Sequence, residues 1–302
     1  FARMVFLLSL PEIDPLMKSR RSRLAAGYND RAMQIKRKRL DPPPDAEFAY
    51  KDIMAGWWRE RARDRAHGRA YRNIAGFIRA SLPREPRVIV DYACGAGQLL
   101  ARLAPLFPHT RLVGLDGSDA LLDLAAARLA RLTGGRAAEV TLALTLLPMS
   151  RPFGERADLV VYSFPNMMPS LSTEAAPGAD LDRDDREIAR RLARDPGGES
   201  DPTLLEYGRS ISRDLRRLLR RGGLCVRAEY ADSRRGEWDP RILRQVEFEE
   251  GSLDLPEEGI RPWFRVLASA FFRSQVMEDV YEQTGEERDR SGGYLITVLG
   301  AV

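Results

Sequence analysis

One stretch constrains the fold more than any other: Arg87-Val-Ile-Val-Asp91-Tyr-Ala93-Cys-Gly95-Ala-Gly97-Gln-Leu-Leu. Three branched apolar residues, Val88 to Val90, read as a buried strand, and Asp91 stands at its end. A turn of small residues follows, and Leu99, Leu103 and Leu106 then begin a helix. A glycine-rich turn between a strand and a helix admits a ligand close to the backbone, because no Cβ is in the way. A dinucleotide-binding turn would carry Gly-x-Gly-x-x-Gly. Counted from Gly95, its last glycine falls at position 100, which is Leu100. The pattern therefore predicts an α/β chain with a small-residue turn of another kind.

The order strand, acid, small-x-Gly-x-Gly, helix resembles the first motif of class I S-adenosylmethionine (SAM) methyltransferases, an acid followed by Gly-x-Gly-x-Gly. Asp91, Gly95 and Gly97 match that pattern, and Ala93 replaces its first glycine. The next strand, Arg111 to Asp116, also ends in an acid, followed by Gly117, Ser118 and a helix carrying Leu121, Leu122, Ala125 and Leu129. A carboxylate there suits ribose binding, since it accepts hydrogen bonds from both hydroxyls. After the third strand, Val140 to Leu144, many family members carry an acid toward adenine; here the position is Thr145. The resemblance implies SAM as cofactor, held by Asp91, Ala93, Gly95, Gly97, Asp116, Gly117, Ser118, Thr145 and Ser163. It also implies a doubly wound, mostly parallel seven-stranded sheet with an antiparallel C-terminal edge strand, plus an N-terminal helical cover.

The fourth strand, Ala157 to Tyr162, runs into Ser163-Phe-Pro-Asn166-Met-Met168. In the family this loop faces both methyl donor and acceptor. A helix with Ile211, Leu215, Leu218 and Leu219 is expected to stop at Gly222-Gly223, and a fifth strand, Leu224 to Tyr230, then brings Glu229 and Tyr230 to the catalytic edge. The resemblance thus offers Ser163 and Asn166 to orient an acceptor, and Glu229 and Tyr230 to hold a proton. Of the two histidines, His109 belongs to the other end of the sheet, and His67 is expected at the surface rather than as a base, unless a cap helix brings it inward, where it joins Glu229 as a candidate base for a hydroxyl acceptor. A metal-assisted reaction would need clustered oxygen ligands at the strand edge. Asp158 begins its strand rather than ending it, so no metal is expected.

The chain of 302 residues divides into an N-terminal arm over 1–46, irregular and polar from residue 11, a helical cover over 47–85 and the SAM-binding domain over 86–302. The cover is read from Tyr50, Ile53, Met54 and Trp57, and from Ala70, Ile74, Phe77 and Ile78, both at helical spacing; Trp57, Trp58 and Tyr71 are candidates to line a pocket. A charged insertion rich in Pro and Gly spans 171–203 and suggests either a lid or a surface loop. Residues 263–272 read as strand-like, and an apolar strand, Tyr294 to Leu299, closes the chain.

Cys94 and Cys225 are too few for a disulfide framework, and a cytoplasmic location is expected. The net charge of +4 comes largely from arginine, with basic clusters at Lys18 to Arg23, Lys36 to Arg39 and Arg216 to Arg221. Solvated surface is favoured over a nucleic-acid patch, because no aromatic residues interleave the N-terminal clusters. The apolar Phe1 to Leu10 is too short to span a bilayer and leaves packing on the domain or homodimer formation open. The expected acceptor is a small molecule. The alternatives are RNA or protein as acceptor, or a SAM-binding regulatory subunit without activity.

Overall fold

The computed structural model describes residues 33–40, 65–132, 139–149, 152–164, 202–232, 264–273 and 292–301. In chain order these form β1 (Ile35–Arg39), α1 (Arg65–Ser81), β2 (Val88–Tyr92), α2 (Gln98–Leu103), β3 (Arg111–Asp116), α3 (Asp119–Ala130), β4 (Glu139–Leu144), β5 (Ala157–Ser163), α4 (Pro202–Leu218), β6 (Leu219–Asp232), β7 (Phe264–Arg273) and β8 (Gly292–Ala301). The strands make one sheet in the order β1-β4-β3-β2-β5-β6-β8-β7. All neighbours from β1 to β6 are parallel, and β8 is antiparallel to both β6 and β7. The expected antiparallel C-terminal strand is therefore β8, with β7 outside it as the outermost strand.

Alternation along the strands divides the core into two layers. Ile89, Leu112, Leu142, Val161, Val226 and Ile296 face the layer containing Ile74 and Ile78 of α1, Leu99 and Leu103 of α2, and Leu122 and Leu129 of α3. Val90, Tyr92, Val113, Val160, Tyr162 and Cys225 face the layer containing Ile211, Leu215 and Leu218 of α4. Helices on both faces of a mostly parallel sheet make the fold doubly wound. The order runs outward one way from β2 through β3 and β4, and the other way from β5 through β6. The switch point between β2 and β5 is where such sheets open a crevice at their C-terminal edge.

The sequence predicts seven strands, and the described residues contain eight. The additional one is β1, inside the segment read as an irregular arm. Ile-Lys-Arg-Lys-Arg has no apolar alternation, so pattern alone does not mark it as a strand. Pairing with β4 does: Val140 N–H donates to Gln34 O at 2.9 Å and Leu40 N–H to Leu144 O at 3.0 Å. Lys36 meets Glu139 at 3.0 Å, and Arg37 meets Asp119 and, at 3.3 Å, Asp123.

A second difference lies at α4. It begins at Pro202, inside the expected insertion, and ends at Leu218; Leu219 already pairs with Ala157. Gly222 and Gly223 thus sit within β6, not at a helix stop. Gly222 has φ +72°, and the sheet register shifts between Ala157 and Leu159. The expected helix at 50–57 with Trp57 and Trp58, the segment 171–201 and the segment Phe1 to Leu10 lie outside the described residues. No helix among the described residues is long and apolar enough to cross a membrane.

Gly114, at the centre of β3, pairs with Asp91 on one side and Leu142 on the other. A Cβ at Gly114 would lie 2.7 Å from Cys94 Sγ and 2.8 Å from Leu100 Cδ1, so the turn after β2 and helix α2 lie directly on this strand. Gly114→Ala should therefore destabilise the protein by about 1–3 kcal/mol through overpacking. Urea unfolding followed by circular dichroism measures it; an unchanged midpoint contradicts this packing.

Candidate active site

Asp91, Asp116 and Ser163 come to one place because of register and parity. Asp91 pairs with Gly114 and Val161 near the end of β2, Asp116 closes β3, and Ser163 closes β5 opposite Ala228 of β6. Asp91 shares the alternation of Ile89, Asp116 that of Leu112, and Ser163 that of Val161, which is the side covered by α1 to α3.

The turn that follows β2 alternates backbone handedness. Ala93, Gly95 and Gly97 have φ of +62°, +50° and +69°, while Cys94 and Ala96 do not. Such alternation turns backbone N–H groups toward a common concavity. Ala93 adopts the left-handed conformation without being glycine, at a cost of roughly 1–2 kcal/mol. Cys94 N–H donates to Leu115 O at 2.9 Å and Gly97 N–H to Cys94 O at 3.0 Å, which pins the turn to β3. The two matching glycines serve different ends. A Cβ on Gly97 would lie 2.8 Å from Ala125 Cβ, so this glycine lets α3 approach. A Cβ on Gly95 would meet nothing within 4 Å, so the backbone there borders open space.

Asp116 is fixed from two sides. Its Oδ2 accepts from Gly95 N–H at 2.7 Å and its Oδ1 from Ser118 N–H at 3.0 Å. Ser118 is almost fully buried and caps α3, its hydroxyl accepting from Leu121 N–H at 3.2 Å. Its place is therefore in positioning Asp116. Gly117 supplies the bend between the two. Thr145 is buried just past β4, and its N–H donates to Asp116 O at 3.0 Å.

Asp91 differs in kind. It is 1% exposed, and neither carboxylate oxygen has a hydrogen-bond partner among the described residues. Burial first, and the neighbouring Asp116 second, hold its pKa well above the usual aspartate range. A buried carboxylate without a partner is costly. A ligand bearing positive charge and N–H donors would satisfy it.

Beside this pair, at the end of β5, Phe164 has φ +48°. That is an outlier for a bulky side chain and stores roughly 1–3 kcal/mol of strain. Its N–H donates to Ala228 O at 2.7 Å, and its ring meets His67, Tyr71 and Tyr294 edge-on at 5.7, 5.6 and 5.7 Å. Tyr294 accepts a hydrogen bond from Asn73 Nδ2 at 2.8 Å and stacks on Phe272 at 5.2 Å. Burial pushes the Tyr294 phenol up to about 12, so it stays protonated near neutrality.

His67 corrects an expectation. It is 5% exposed, not a surface residue. It precedes Ala70, Tyr71 and Ile74 at the spacing of one helical face, so the apolar stripe carries it inward. That spacing was the available signal. Tyr71, a candidate pocket residue, meets the Phe164 ring at the end of β5. Glu229 and Tyr230 pair with Leu295 and Tyr294 of β8, one and two positions past Ala228, the residue opposite Ser163. Asn166 lies outside the described residues. Asp158 accepts from the N–H groups of Arg87 and Val88 at 2.7 and 3.1 Å and pairs with Arg220, which ties it to the opposite end of the sheet. Cys94 and Cys225 are buried free thiols.

Residues 90–165 match the family model described as a methyltransferase domain, which covers the turn, both acids and the end of β5. Over 111 residues the chain is 36% identical to a trans-aconitate 2-methyltransferase of Methylobacterium radiotolerans. That match covers 35% of this chain and 41% of the relative, so less than half of the relative is represented here. Among solved structures, the fold is similar to a magnesium protoporphyrin IX methyltransferase from Synechocystis PCC 6803 with bound SAM, at 14% identity and TM-score 0.47 over 87% of this chain and all of that one. It is also similar to the N-methyltransferase NodS from Bradyrhizobium japonicum WM9 in complex with S-adenosyl-L-homocysteine, at 15% identity and TM-score 0.46 over 85% and 95% of the two chains. Residues 90–165 carry a methyltransferase domain. SAM is the cofactor of such a domain, and the residues fit it: a carboxylate lacking a partner among the described residues, a second one held at a strand end, and a glycine bordering open space between them.

The raised pKa of Asp91 sets a pH dependence. In the free protein Asp91 keeps its proton to a higher pH than an unfolded aspartate does. Its contribution to stability is therefore complete below the unfolded value of about 3.9 and is lost as pH rises toward the folded value. A cation favours the ionised form, so SAM binding should release a proton and strengthen as pH rises above the ordinary aspartate range toward the raised value of Asp91. Calorimetry in two buffers of different ionisation enthalpy reads the proton directly. Asp91→Asn should bind more weakly and with a flatter profile; an identical profile refutes the assignment.

Proposed function

We propose that the protein methylates a small-molecule acceptor, on nitrogen or oxygen, by holding donor and acceptor in line and without a divalent metal. The observation that carries this reading is the buried, partnerless carboxylate of Asp91 beside Asp116 and the open side of Gly95. When bound, SAM supplies a methyl group made electrophilic by its sulfonium centre. The chain's own residues supply placement, which is the main requirement of an in-line displacement. Asp116 offers carboxylate oxygens, already oriented by Gly95 and Ser118, to the ribose hydroxyls. Asp91 offers a cationic donor a second carboxylate, one whose oxygens are not engaged by the described residues.

The acceptor belongs on the side of Ser163 and Phe164. There α1 delivers His67 and Tyr71, and β8 delivers Tyr294, to form an apolar, aromatic wall. Such a wall suits a partly apolar small molecule and keeps water from the reacting atoms. His67 is the imidazole on that wall and, with Glu229 and Tyr230, is a candidate to take a proton from an amine or hydroxyl; Ser163 and Asn166 are the candidates to orient the acceptor. The named acceptor of the sequence relative, trans-aconitate, is itself a small molecule, which supports the acceptor's class and not its identity. The basic cluster at β1 speaks against RNA, since Lys36 is paired with Glu139, and Arg37 with Asp119 and Asp123. The metal-independent reading is supported by Asp158, whose carboxylate is engaged at the end of the sheet away from the crevice.

Two measurements test this reading. Asp116→Ala should weaken S-adenosylhomocysteine binding at least about tenfold, since hydrogen bonds to a charged group contribute roughly 1.5–3 kcal/mol; unchanged affinity removes the ribose assignment. Transfer of labelled methyl from SAM to a panel of small carboxylic acids, amines and phenols should proceed in the presence of a chelator. With an acceptor in hand, Asn166→Ala should lower turnover more than cofactor affinity. Activity confined to RNA, or lost with chelator and restored by magnesium, overturns the proposal, and binding without transfer to any acceptor class points to a regulatory subunit.

A further inference from the structure

Asp214 belongs to α4, on the sheet face opposite the crevice, and is buried at 3% exposure. A polar residue at the core-facing position between Ile211 and Leu218 needs a reason. One of its carboxylate oxygens accepts two hydrogen bonds, from Tyr92 Oη at 2.8 Å and from Met149 N–H at 2.5 Å. Tyr92 stands between Asp91 and Ala93 on the chain. Met149 ends the stretch that leaves β4 at Thr145, and Thr145 N–H donates to Asp116 O. The stretch 145–149 is thus tied at one end to the residue that carries the ribose carboxylate and at the other to Asp214. The same oxygen ties the strand end that carries Asp91. Arg213 and Arg217 are the charged groups acting on Asp214 from its own helix; Tyr92 and Met149 face it from the sheet side.

We propose that Asp214 is a positioning residue for cofactor binding: its single oxygen clamps the ends of β2 and of the post-β4 stretch together, and so fixes the spacing of the two walls of the crevice. This rests on the reading that Asp91 and Asp116 hold the cofactor. Asp214 makes its hydrogen bonds to Tyr92 and Met149 rather than to either site carboxylate, and acts through them. The geometry distinguishes two substitutions. Asp214→Asn keeps a carbonyl oxygen able to accept both hydrogen bonds, whereas Asp214→Leu keeps the volume and removes both. Tyr92→Phe removes one donor and leaves the ring.

The test is the dissociation constant of S-adenosylhomocysteine for the full chain, measured well below the melting temperature of each variant. Asp214→Leu should bind about tenfold more weakly, Tyr92→Phe about two- to fivefold, and Asp214→Asn within about threefold of the wild type, given about 1 kcal/mol for a buried hydrogen bond. Rescue by asparagine marks acceptor geometry; a merely structural residue would lower the melting temperature and leave the affinity of the folded fraction unchanged. Wild-type affinity in Asp214→Leu overturns the proposal. If that variant does not fold, wild-type affinity in Tyr92→Phe overturns it. If the wild type itself fails to bind S-adenosylhomocysteine, the cofactor reading falls and this proposal with it; if the wild type binds and Asp116→Ala does not, the cofactor reading stands while Asp214 is judged on its own variants.

Discussion

A carboxylate taken out of water without a partner among the described residues is the constraint on which this structure turns. Asp91 sits in the centre of the sheet, at the switch point, flanked by strands on both sides and covered by the turn that follows it. A chain selected for stability alone would place an apolar residue there, as it does at the neighbouring Ile89 and Val90. The strain at Ala93 and Phe164, on either side of the same crevice, adds to the cost. Strain and unmet polarity gathered at one sheet edge make sense if a cationic ligand completes the structure.

The surrounding framework is correspondingly rigid. Asp116 is oriented by two backbone N–H groups before any ligand arrives, and Ser118 serves the helix and the acid together. Pre-set geometry of this kind lowers the ordering required on binding. Asp214 extends the same logic through the sheet: a second carboxylate, on the opposite face, holds the strand ends whose spacing the crevice needs. The two faces thus divide the work, with α1 to α3 closing the crevice and α4 bracing it from behind.

How much of this was legible follows from which interactions are local. The turn at 93–97 and the acids at 91 and 116 announce themselves because strand, turn and helix are contiguous in sequence. The buried places of His67 and Asp214 were open to the same periodicity that marks Ile74 and Leu215, but a polar residue within an apolar stripe reads as an interruption until its partner is seen. Strand β1 had no such signal, since its reason for being a strand is a β4 more than a hundred positions away. Tyr294 reached the crevice because β8 inserts between β6 and β7, a matter of topology that no local pattern records. Long-range pairing is the part of a fold that a single sequence expresses least.

Strand β1 also shows which forces hold the arm. Its ion pairs are exposed: Arg37 retains 32% of its side-chain surface, Asp119 57% and Asp123 76%. Such pairs contribute about 0–1 kcal/mol and fade with salt. The ladder with β4 runs over five paired positions, from Ile35 with Val140 to Arg39 with Leu144, and it covers backbone groups that an edge would otherwise leave open. The ladder therefore sets the strand in place, and the charges choose its register against Glu139 and the start of α3. Because α3 begins beside Ser118, and Ser118 N–H holds Asp116, Arg37 reaches the first turns of the helix whose cap orients that carboxylate. Lys36 and Arg37 are thus engaged by the acids of β4 and α3 that line this edge of the sheet.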